Sequence, residues 1–199
     1  MDKISVIIIT KDEEKNISDC LKSVEWADEI IVVDAESSDK TIELAKKFTD
    51  KVYIKKWEGY VPQKKYALSL ASNDWVLSVD ADERITPELK NELLNITSSE
   101  FSGYKIRRKN FLLNKEITSC GWGNDYQLRF FLKARTSLTD RLVHEGFTVN
   151  GKIGKLENPM LHYTFSSFSD YFNKINYYTS LKAEELYKQK RKVNGWTIF

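Results

Sequence analysis

Three carboxylates stand together where an apolar segment ends. Asp80, Asp82 and Glu83 follow the run Trp75–Val79, which has the length and composition of a buried strand. Because an unpaired charge is costly in a protein core, we expect these side chains to emerge at the carboxyl end of the strand, where open α/β sheets hold ligands. A divalent cation on a nucleotide diphosphate would relieve their repulsion, whereas a short acidic turn capping the next helix is the simpler alternative.

Two further predicted strands end in polar residues. The run Ile4–Ile9 leads to Thr10 and Asp12, and the run Glu29–Val33 leads to Asp34. Adjacent parallel strands would bring these ends to one rim, where carboxylates accept hydrogen bonds from ribose hydroxyls and base N–H groups. The chain contains neither Gly-x-Gly-x-x-Gly nor Gly-Lys-Ser/Thr, which argues against dinucleotide oxidoreductases and P-loop enzymes.

The elements that must position these residues alternate between strand and helix over the first half of the chain. Near-continuous apolar runs indicate strands covered on both faces, and apolar residues at helical spacing separate them. This alternation predicts an α/β fold with a parallel sheet. Thr86, Pro87 and Glu88 then provide a cap, a first-turn proline and an acid at the positive end of the dipole, so a further helix is expected.

The pattern changes in the second half. Tyr104–Arg108 and Gln127–Phe131 indicate strands of mixed polarity, and a long helix is predicted from Ser167. We expect a nucleotide-binding half at 1–100, an acceptor and catalytic half of the same domain at 101–165, and a C-terminal helical extension at 166–199. The abrupt apolar and aromatic ending at 195–199 leads us to expect that the natural protein continues further.

Composition narrows the class of protein. The 199 residues include 31 basic and 29 acidic side chains, a balance that argues against a nucleic-acid partner. No apolar run approaches the roughly 18 residues of a membrane span, and the N-terminus leads directly into a strand rather than a signal peptide. Cys20 and Cys120 show no metal-ligand spacing, and we expect Cys20 to be buried on a helix. We therefore predict a cytoplasmic protein.

Four segments resemble, in order and spacing, the motifs of glycosyltransferase family 2. They are the opening strand and loop Ser5–Ile17, the second-strand segment Glu29–Thr41, the helix start Gln63–Leu68 and the metal motif Asp80–Glu83. Lys65 departs from the family pattern, which often has Asn there. A later stretch, Gly121–Phe131 followed by Leu142–Glu145, is similar to the branch that includes lipopolysaccharide-core β-glucosyltransferases.

The resemblance implies a GT-A fold, which is a Rossmann-like and mostly parallel sheet flanked by helices. It also implies inverting transfer of a sugar from a nucleotide-sugar donor to a hydroxyl, with Mn²⁺ or Mg²⁺ held by Asp82 and Asp80. The residues that it places at the donor are Thr10, Asp12, Glu13, Glu14, Asp34, Lys64 and Asp80. We expect a UDP-hexose donor and a bacterial surface-glycan or lipopolysaccharide-core acceptor, either a glycan or a lipid-linked molecule.

Transfer to a hydroxyl requires a base. Asp125 resembles the acid of the family's Glu-Asp-x-x-Leu-x-x-Arg pattern and is the predicted base, although Asn124 replaces the first acid. Glu145 is the rival base, and a third possibility is that neither residue acts. Trp122 lies between two glycines beside this loop and is predicted to stack on an acceptor sugar, with Arg129 also on the acceptor side.

The two histidines and a basic stretch leave alternatives open. His144 fits a metal or phosphate contact and a structural role equally well, whereas His162 is predicted to be structural. Some metal-dependent transferases do use a histidine late in the domain. The stretch Lys188–Lys192 is typical of a solvated helix end, and its alternative is peripheral association with an anionic membrane at its inner face.

Three other functions fit part of the pattern. A nucleotidyltransferase also places paired aspartates at parallel strand ends, but it would need a glycine-rich basic loop where this chain has Lys11–Glu14. A receiver-like signalling module would leave the second half unexplained. A catalytically silent glycan- or nucleotide-binding relative would keep the fold and lose the transfer reaction.

Overall fold

The structure, a computed structural model, describes residues 2–96, 100–113, 115–119, 122–138, 146–165 and 168–188. The strands are β1 (Ile4–Thr10), β2 (Glu29–Asp34), β3 (Val52–Ile54), β4 (Trp75–Asp80), β5 (Glu83–Ile85), β6 (Phe101–Leu112), β7 (Lys115–Ile117), β8 (Tyr126–Leu132), β9 (Thr136–Leu138), β10 (Phe147–Val149), β11 (Lys152–Lys155) and β12 (Met160–Phe165). The helices are α1 (Ile17–Ser23), α2 (Thr41–Ala45), α3 (Tyr60–Leu70), α4 (Pro87–Leu94) and α5 (Phe168–Lys188).

The sheet is parallel in its first half and mixed in its second. β1 lies between β2 and β4, and β3 extends the sheet beyond β2, with all four strands parallel. Antiparallel β8 then joins β4 to β6, and β12 and β5 follow. The predicted α/β class, with a parallel half followed by a mixed half, is confirmed. The short strands β5, β7, β9, β10 and β11 were not predicted.

The parallel strands are apolar on both faces because helices cover both faces. Ile8 faces a core cluster with Leu21 of α1 and Leu89 of α4, while its neighbour Ile7 faces a second cluster with Ala67 of α3. Successive strand residues point to opposite faces, so a run without polar alternation requires this double cover. Cys20 is fully buried in the first cluster, as predicted.

Two further predicted helices are present, α4 and α5. The Thr86 side chain accepts a hydrogen bond from the Leu89 N–H and caps α4, which begins at a proline. In α5 the apolar residues Phe168, Phe172 and Ile175 are exposed by 60%, 60% and 36%. No helix in the described part combines the length and apolar character of a membrane span. Residues 189–192 of the basic stretch lie outside the described residues, and membrane association stays a prediction.

A buried carboxylate holds the sheet together at the end opposite the acidic rim. Glu29, at the start of β2, accepts hydrogen bonds from Ser5 Oγ, from Lys51 Nζ at 2.5 Å, and from the backbone N–H and hydroxyl of Ser72, each at 2.8 Å. Burial by itself would raise the pKa of Glu29, but these hydrogen bonds outweigh it and lower the pKa to about 2.

We expect Glu29→Gln to lower the free energy of unfolding at pH 7 by about 2–3 kcal/mol, since the charged hydrogen bonds are lost. A depressed folded-state pKa gives a contribution that is present above the unfolded carboxyl pKa of about 4.3 and is lost as pH falls towards 2. Urea denaturation at pH 7 and pH 3 should show the gap between variant and wild type narrowing by about half.

The matched control is Glu43→Gln, which removes an exposed carboxylate paired with Lys47 at 3.5 Å. It should change stability by less than about 0.5 kcal/mol. If Glu29→Gln lowered the free energy of unfolding by the same amount at pH 7 and pH 3, the role given to the ionised Glu29 carboxylate would be contradicted.

Candidate active site

The polar ends of three parallel strands lie side by side. In the strand register Thr10 of β1 is opposite Asp34 of β2, and Ile9 of β1 is opposite Asp80 of β4. The predicted convergence of these strand ends on one rim is therefore confirmed. We call this rim the donor ledge, defined by Thr10, Asp34 and Asp80.

The loops after β1 and β2 are joined by hydrogen bonds. Asp12 Oδ1 accepts from the Ser38 N–H at 2.7 Å, and the Asp12 N–H donates to Ser37 Oγ at 2.8 Å. Asp34 is fully buried, and its two carboxylate oxygens accept from the N–H and hydroxyl of Ser37. Asp12 and Glu36 both adopt positive φ angles, 52° and 59°, so the two loops hold backbone conformations that cost energy locally.

The next residues extend the same junction. The Glu13 N–H donates to Thr41 Oγ1 at 2.8 Å, and the Glu14 N–H donates to Asp39 Oδ2 at 3.0 Å. Glu14 in turn accepts from the Lys40 N–H at 3.2 Å. The structure therefore places Asp12, Glu13 and Glu14 at the edge of the ledge as residues that fix its shape.

Thr10 presents an unsatisfied group at the ledge. The residue is 6% exposed, and Thr10 Oγ1 has no hydrogen-bond partner within the described part of the chain. A buried hydroxyl without a partner is destabilising by about 1–3 kcal/mol, which a bound polar ligand would relieve. Thr10 is thus suited to the ligand contact that the sequence predicted.

Glu83 differs from the expectation that all three acids emerge at the rim. It is fully buried, and its carboxylate accepts from the Asp80 N–H at 2.8 Å and from Arg129 Nη2 at 2.5 Å. Arg108 Nη1 lies 3.5 Å from the same carboxylate. The local argument against a buried carboxylate holds only for an unpaired one, and here arginines from two later strands pair it.

Arg129 connects Glu83 to the ledge. Its guanidinium bonds both Asp80 and Glu83, and the side chain is buried. Burial would lower the pKa of Arg129, but the two carboxylates raise it, so the side chain stays charged. Burial would likewise raise the pKa of Asp80, but Arg129 and Lys64 hold it well below the usual range. For Glu83, burial and the charge of Asp80 raise the pKa against the pull of Arg129.

A β-bulge aims Arg129 at these acids. Tyr104 of β6 is opposite Phe130 of β8, whereas the next residue, Lys105, is opposite Leu128. Arg129 is therefore the extra residue on β8. Bulges redirect side chains, and this one places a buried arginine under the ledge. Arg129 was predicted on the acceptor side, and the structure places it beneath Asp80.

Asp125 is held by side chains of β6 and β8. Its Oδ2 accepts from Arg108 Nε at 2.8 Å and from Asn110 Nδ2 at 3.2 Å, and its Oδ1 accepts from Gln127 Nε2 at 2.7 Å. Burial raises the pKa of Asp125, but the Gln127 hydrogen bond and the Arg108 charge outweigh it and lower the pKa. Arg108 thus bridges Asp125 and Glu83.

The network contains equal numbers of opposite charges. Its carboxylates are Asp80, Glu83 and Asp125, and its cations are Lys64, Arg108 and Arg129. Lys64 Nζ lies 3.6 Å from Asp80 Oδ1, at the ledge. Among the described residues, each charge of this network has an opposite partner, so the six charges balance one another.

Asp82 lies beside a histidine that the sequence argument assigned to structure. His162 Nε2 is 3.4 Å from Asp82 Oδ2, and the two side chains are 12% and 15% exposed. His162 Nδ1 is 2.6 Å from Asn110 Oδ1. Within the described ranges, no group of three or more His, Cys, Asp or Glu side chains could hold a metal ion by itself. Asp82 and His162 therefore form a pair of candidate metal ligands, and a bound substrate would supply the remaining ligands.

The structure describes only some of the remaining predicted site residues. Trp122 is half-buried in a short 3₁₀ turn, and its carbonyl accepts from Asn110 Nδ2 at 3.2 Å, so it adjoins Asp125. His144 and Glu145 lie outside the described residues. The sequence argument missed Arg108 and Asn110, although residues two apart in a strand share a face and could have been recognised as a pair.

We expect Arg129→Met to lower the free energy of unfolding by about 3–5 kcal/mol, since it leaves the buried carboxylate of Glu83 and the part-buried carboxylate of Asp80 without their shared partner. Adding Asp80→Asn and Glu83→Gln should recover part of that loss. Urea denaturation measures both effects.

The control is Arg135→Met, which removes an exposed arginine that donates to Ser102 Oγ at 3.0 Å. It should cost less than about 1 kcal/mol. Equal losses at positions 129 and 135 would contradict a special role for the buried arginine.

Comparison with known proteins agrees with the fold and the ledge. The model of "Glycosyl transferase family 2" matches residues 5–135. An uncharacterized glycosyltransferase of Rickettsia typhi is 35% identical over 212 residues, covering 100% of this chain and 73% of its own length. The lipopolysaccharide core biosynthesis glycosyltransferase LpsC of Rhizobium meliloti is 31% identical, covering 92% of this chain and 71% of LpsC.

Solved structures confirm the GT-A fold. The crystal structure of Staphylococcus aureus TarS 1–349 superposes with a TM-score of 0.61 at 19% identity, covering 90% of this chain and 65% of TarS. The same protein in complex with UDP gives a TM-score of 0.59 at 20% identity, covering 92% and 65%. From the family match and the relatives at 31–35% identity, we conclude that this chain belongs to glycosyltransferase family 2.

Proposed function

We propose that this chain is a metal-dependent, inverting hexosyltransferase that uses a UDP-sugar and acts on a hydroxyl of a lipopolysaccharide-core or related bacterial surface glycan. The observation that carries the proposal is the juxtaposition of the donor ledge, the Asp82–His162 pair and Asp125. Membership of family 2 sets aside the nucleotidyltransferase and receiver-like alternatives. The experiments below test the remaining alternative, a catalytically silent glycan- or nucleotide-binding protein.

The donor site is supported by the ledge and its loops. Thr10 offers a buried hydroxyl that has no hydrogen-bond partner among the described residues, and Asp34 and Asp12 fix the loops that would surround a nucleoside. Lys64 is close enough to Asp80 to exchange that partner for a phosphate oxygen. UDP is our choice of nucleotide because TarS, which shares the fold, was crystallised with it.

The metal fits Asp82 and His162 better than Asp80. Asp80 was predicted as a second ligand, but its carboxylate is already neutralised by Arg129 and Lys64. Asp82 and His162 present an oxygen and a ring nitrogen 3.4 Å apart, a donor set that suits Mn²⁺. Bound there with the diphosphate, the cation would act as a Lewis acid that relieves charge on the leaving group.

Asp125 would take the proton. Its Oδ1 accepts one hydrogen bond within the described residues, from Gln127, and a carboxylate oxygen can accept two. The remaining lone pair can accept a hydrogen bond, and then the proton, from the hydroxyl of the acceptor glycan. The oxygen of that hydroxyl forms the new bond to the sugar as the bond between sugar and diphosphate breaks. Attack from the face opposite the leaving group gives inversion.

The acceptor would approach from the side of Trp122. An aromatic ring can stack on the apolar face of a sugar, and the Trp122 turn is tied to Asn110 beside the base. Arg129 is buried, so we assign it to positioning Asp80 and Glu83 instead of contacting the acceptor. The lipopolysaccharide-core acceptor is supported by the similarity to LpsC.

We expect UDP with Mn²⁺ to give a larger thermal stabilisation than other nucleoside diphosphates, and chelation to remove most of it, since a ligand stabilises the state that binds it. Asp82→Ala should abolish the Mn²⁺-dependent part of the shift. Asp50→Asn, an exposed change remote from the ledge, should leave it intact. Equal responses to every nucleotide, or a full shift in Asp82→Ala, would refute the assignment.

We expect Asp125→Asn to lower kcat for sugar transfer about 10²–10⁴-fold, because the base is lost while the donor site is kept. The UDP–Mn²⁺ thermal shift should match that of wild type. Glu145→Gln is the matched comparison and should retain transfer. Loss of transfer in Glu145→Gln with retention in Asp125→Asn would reassign the base to the rival residue.

A further inference from the structure

One buried amide lies between the two halves of the proposed chemistry. Asn110 of β6 is 1% exposed and uses both ends of its side chain. Asn110 Nδ2 donates to Asp125 Oδ2 and to the Trp122 carbonyl, each at 3.2 Å. Asn110 Oδ1 is 2.6 Å from His162 Nδ1. The amide therefore touches the proposed base, the proposed acceptor turn and the proposed metal ligand.

The orientation of this amide follows from its neighbours. A carboxylate and a carbonyl can only accept hydrogen bonds, so the end of Asn110 that faces Asp125 and Trp122 must be the NH₂ group. Its oxygen must then face His162. An oxygen acceptor there requires a proton on His162 Nδ1, which the Thr164 hydroxyl 2.9 Å away can also accept.

This choice of tautomer determines what faces Asp82. In a neutral ring with the proton on Nδ1, the Nε2 atom carries a lone pair. It lies 3.4 Å from Asp82 Oδ2 and 3.3 Å from Thr164 Oγ1. The lone pairs of Nε2 and Asp82 repel each other unless a proton on Nε2 or a metal ion lies between them. Ligating histidines ordinarily donate the other ring N–H to an oxygen in this way, which fixes both orientation and basicity.

We propose that Asn110 is a positioning residue that sets the His162 tautomer for metal binding and, with its other end, orients Asp125. The metal and base roles rest on the proposed function, whereas the proton on His162 Nδ1 follows from the hydrogen bonds alone. Donor-side and acceptor-side groups are thereby held by one side chain, and substitutions can separate the two effects.

The first experiment reads the tautomer in the metal-free protein. The chain has two histidines, so ¹⁵N–¹H correlation spectra of the imidazole rings are simple, and His162→Gln assigns the signals. The spectra are followed to alkaline pH until the ring carries a single N–H, so that the neutral tautomer is read directly. We expect the Nδ1–H form of His162 in wild type and a mixture in Asn110→Ala. A dominant Nε2–H form in wild type would overturn the proposal, even if transfer activity were found.

The second experiment separates the two ends of the amide. Asn110→Asp keeps an oxygen facing His162 but sets a carboxylate against Asp125. We expect this variant to keep Mn²⁺ affinity, in the presence of UDP, within about threefold of wild type while kcat falls at least about 10-fold. Asn110→Ala should weaken Mn²⁺ binding about 10–100-fold and lower kcat as well.

The control is Ser102→Ala, which removes another buried polar side chain of β6 at its far end. It should leave the tautomer, Mn²⁺ affinity and kcat unchanged. Equal Mn²⁺ affinities in wild type and Asn110→Ala, with the tautomer unchanged, would overturn the role of Asn110. If no protein in the series bound Mn²⁺ but the tautomer changed as expected, the proposed function would fail and the positioning inference would stand.

Discussion

The site depends on the need to neutralise Glu83. A fully buried carboxylate is tolerated only with opposite charges and hydrogen bonds around it, and Glu83 obtains them from Arg129, Arg108 and the Asp80 N–H. Each of these partners also contacts a group at the surface of the site. Arg129 and the Asp80 backbone lead to the donor ledge, and Arg108 leads to Asp125. The charge balance around Glu83 therefore determines where the part-buried carboxylates of Asp80 and Asp125 lie.

The same network joins the two halves of the sheet. Asp80 and Lys64 come from the parallel half. Arg108 comes from β6, Asp125 from the turn before β8, and Arg129 from β8 itself. The ladder between β4 and β8 supplies the backbone part of this junction. The boundaries predicted at residues 100 and 165 describe a change of pattern along the chain. The site itself lies where the first two segments meet.

The sequence contained enough information for the ledge but not for the network below it. Apolar runs in β1, β2 and β4 are local signals, and parallel neighbours must bring their ends together, so Thr10, Asp34 and Asp80 were predictable. The partners of Glu83 were not, because they depend on the order β4, β8, β6, β12, which no local pattern encodes. His162 shows the same difficulty, since its neighbour Asp82 is on a distant segment joined to it through β5 and β12. The Arg129 bulge is likewise a property of strand pairing.

The most direct test of the account is a crystal of the protein with UDP and Mn²⁺, measured for anomalous scattering from manganese. We predict one strong peak coordinated by the Asp82 carboxylate and His162 Nε2, with the diphosphate beside it and the nucleoside against Thr10 and Asp34. A manganese peak remote from both Asp82 and His162, or a nucleotide bound away from the ends of β1, β2 and β4, would contradict it.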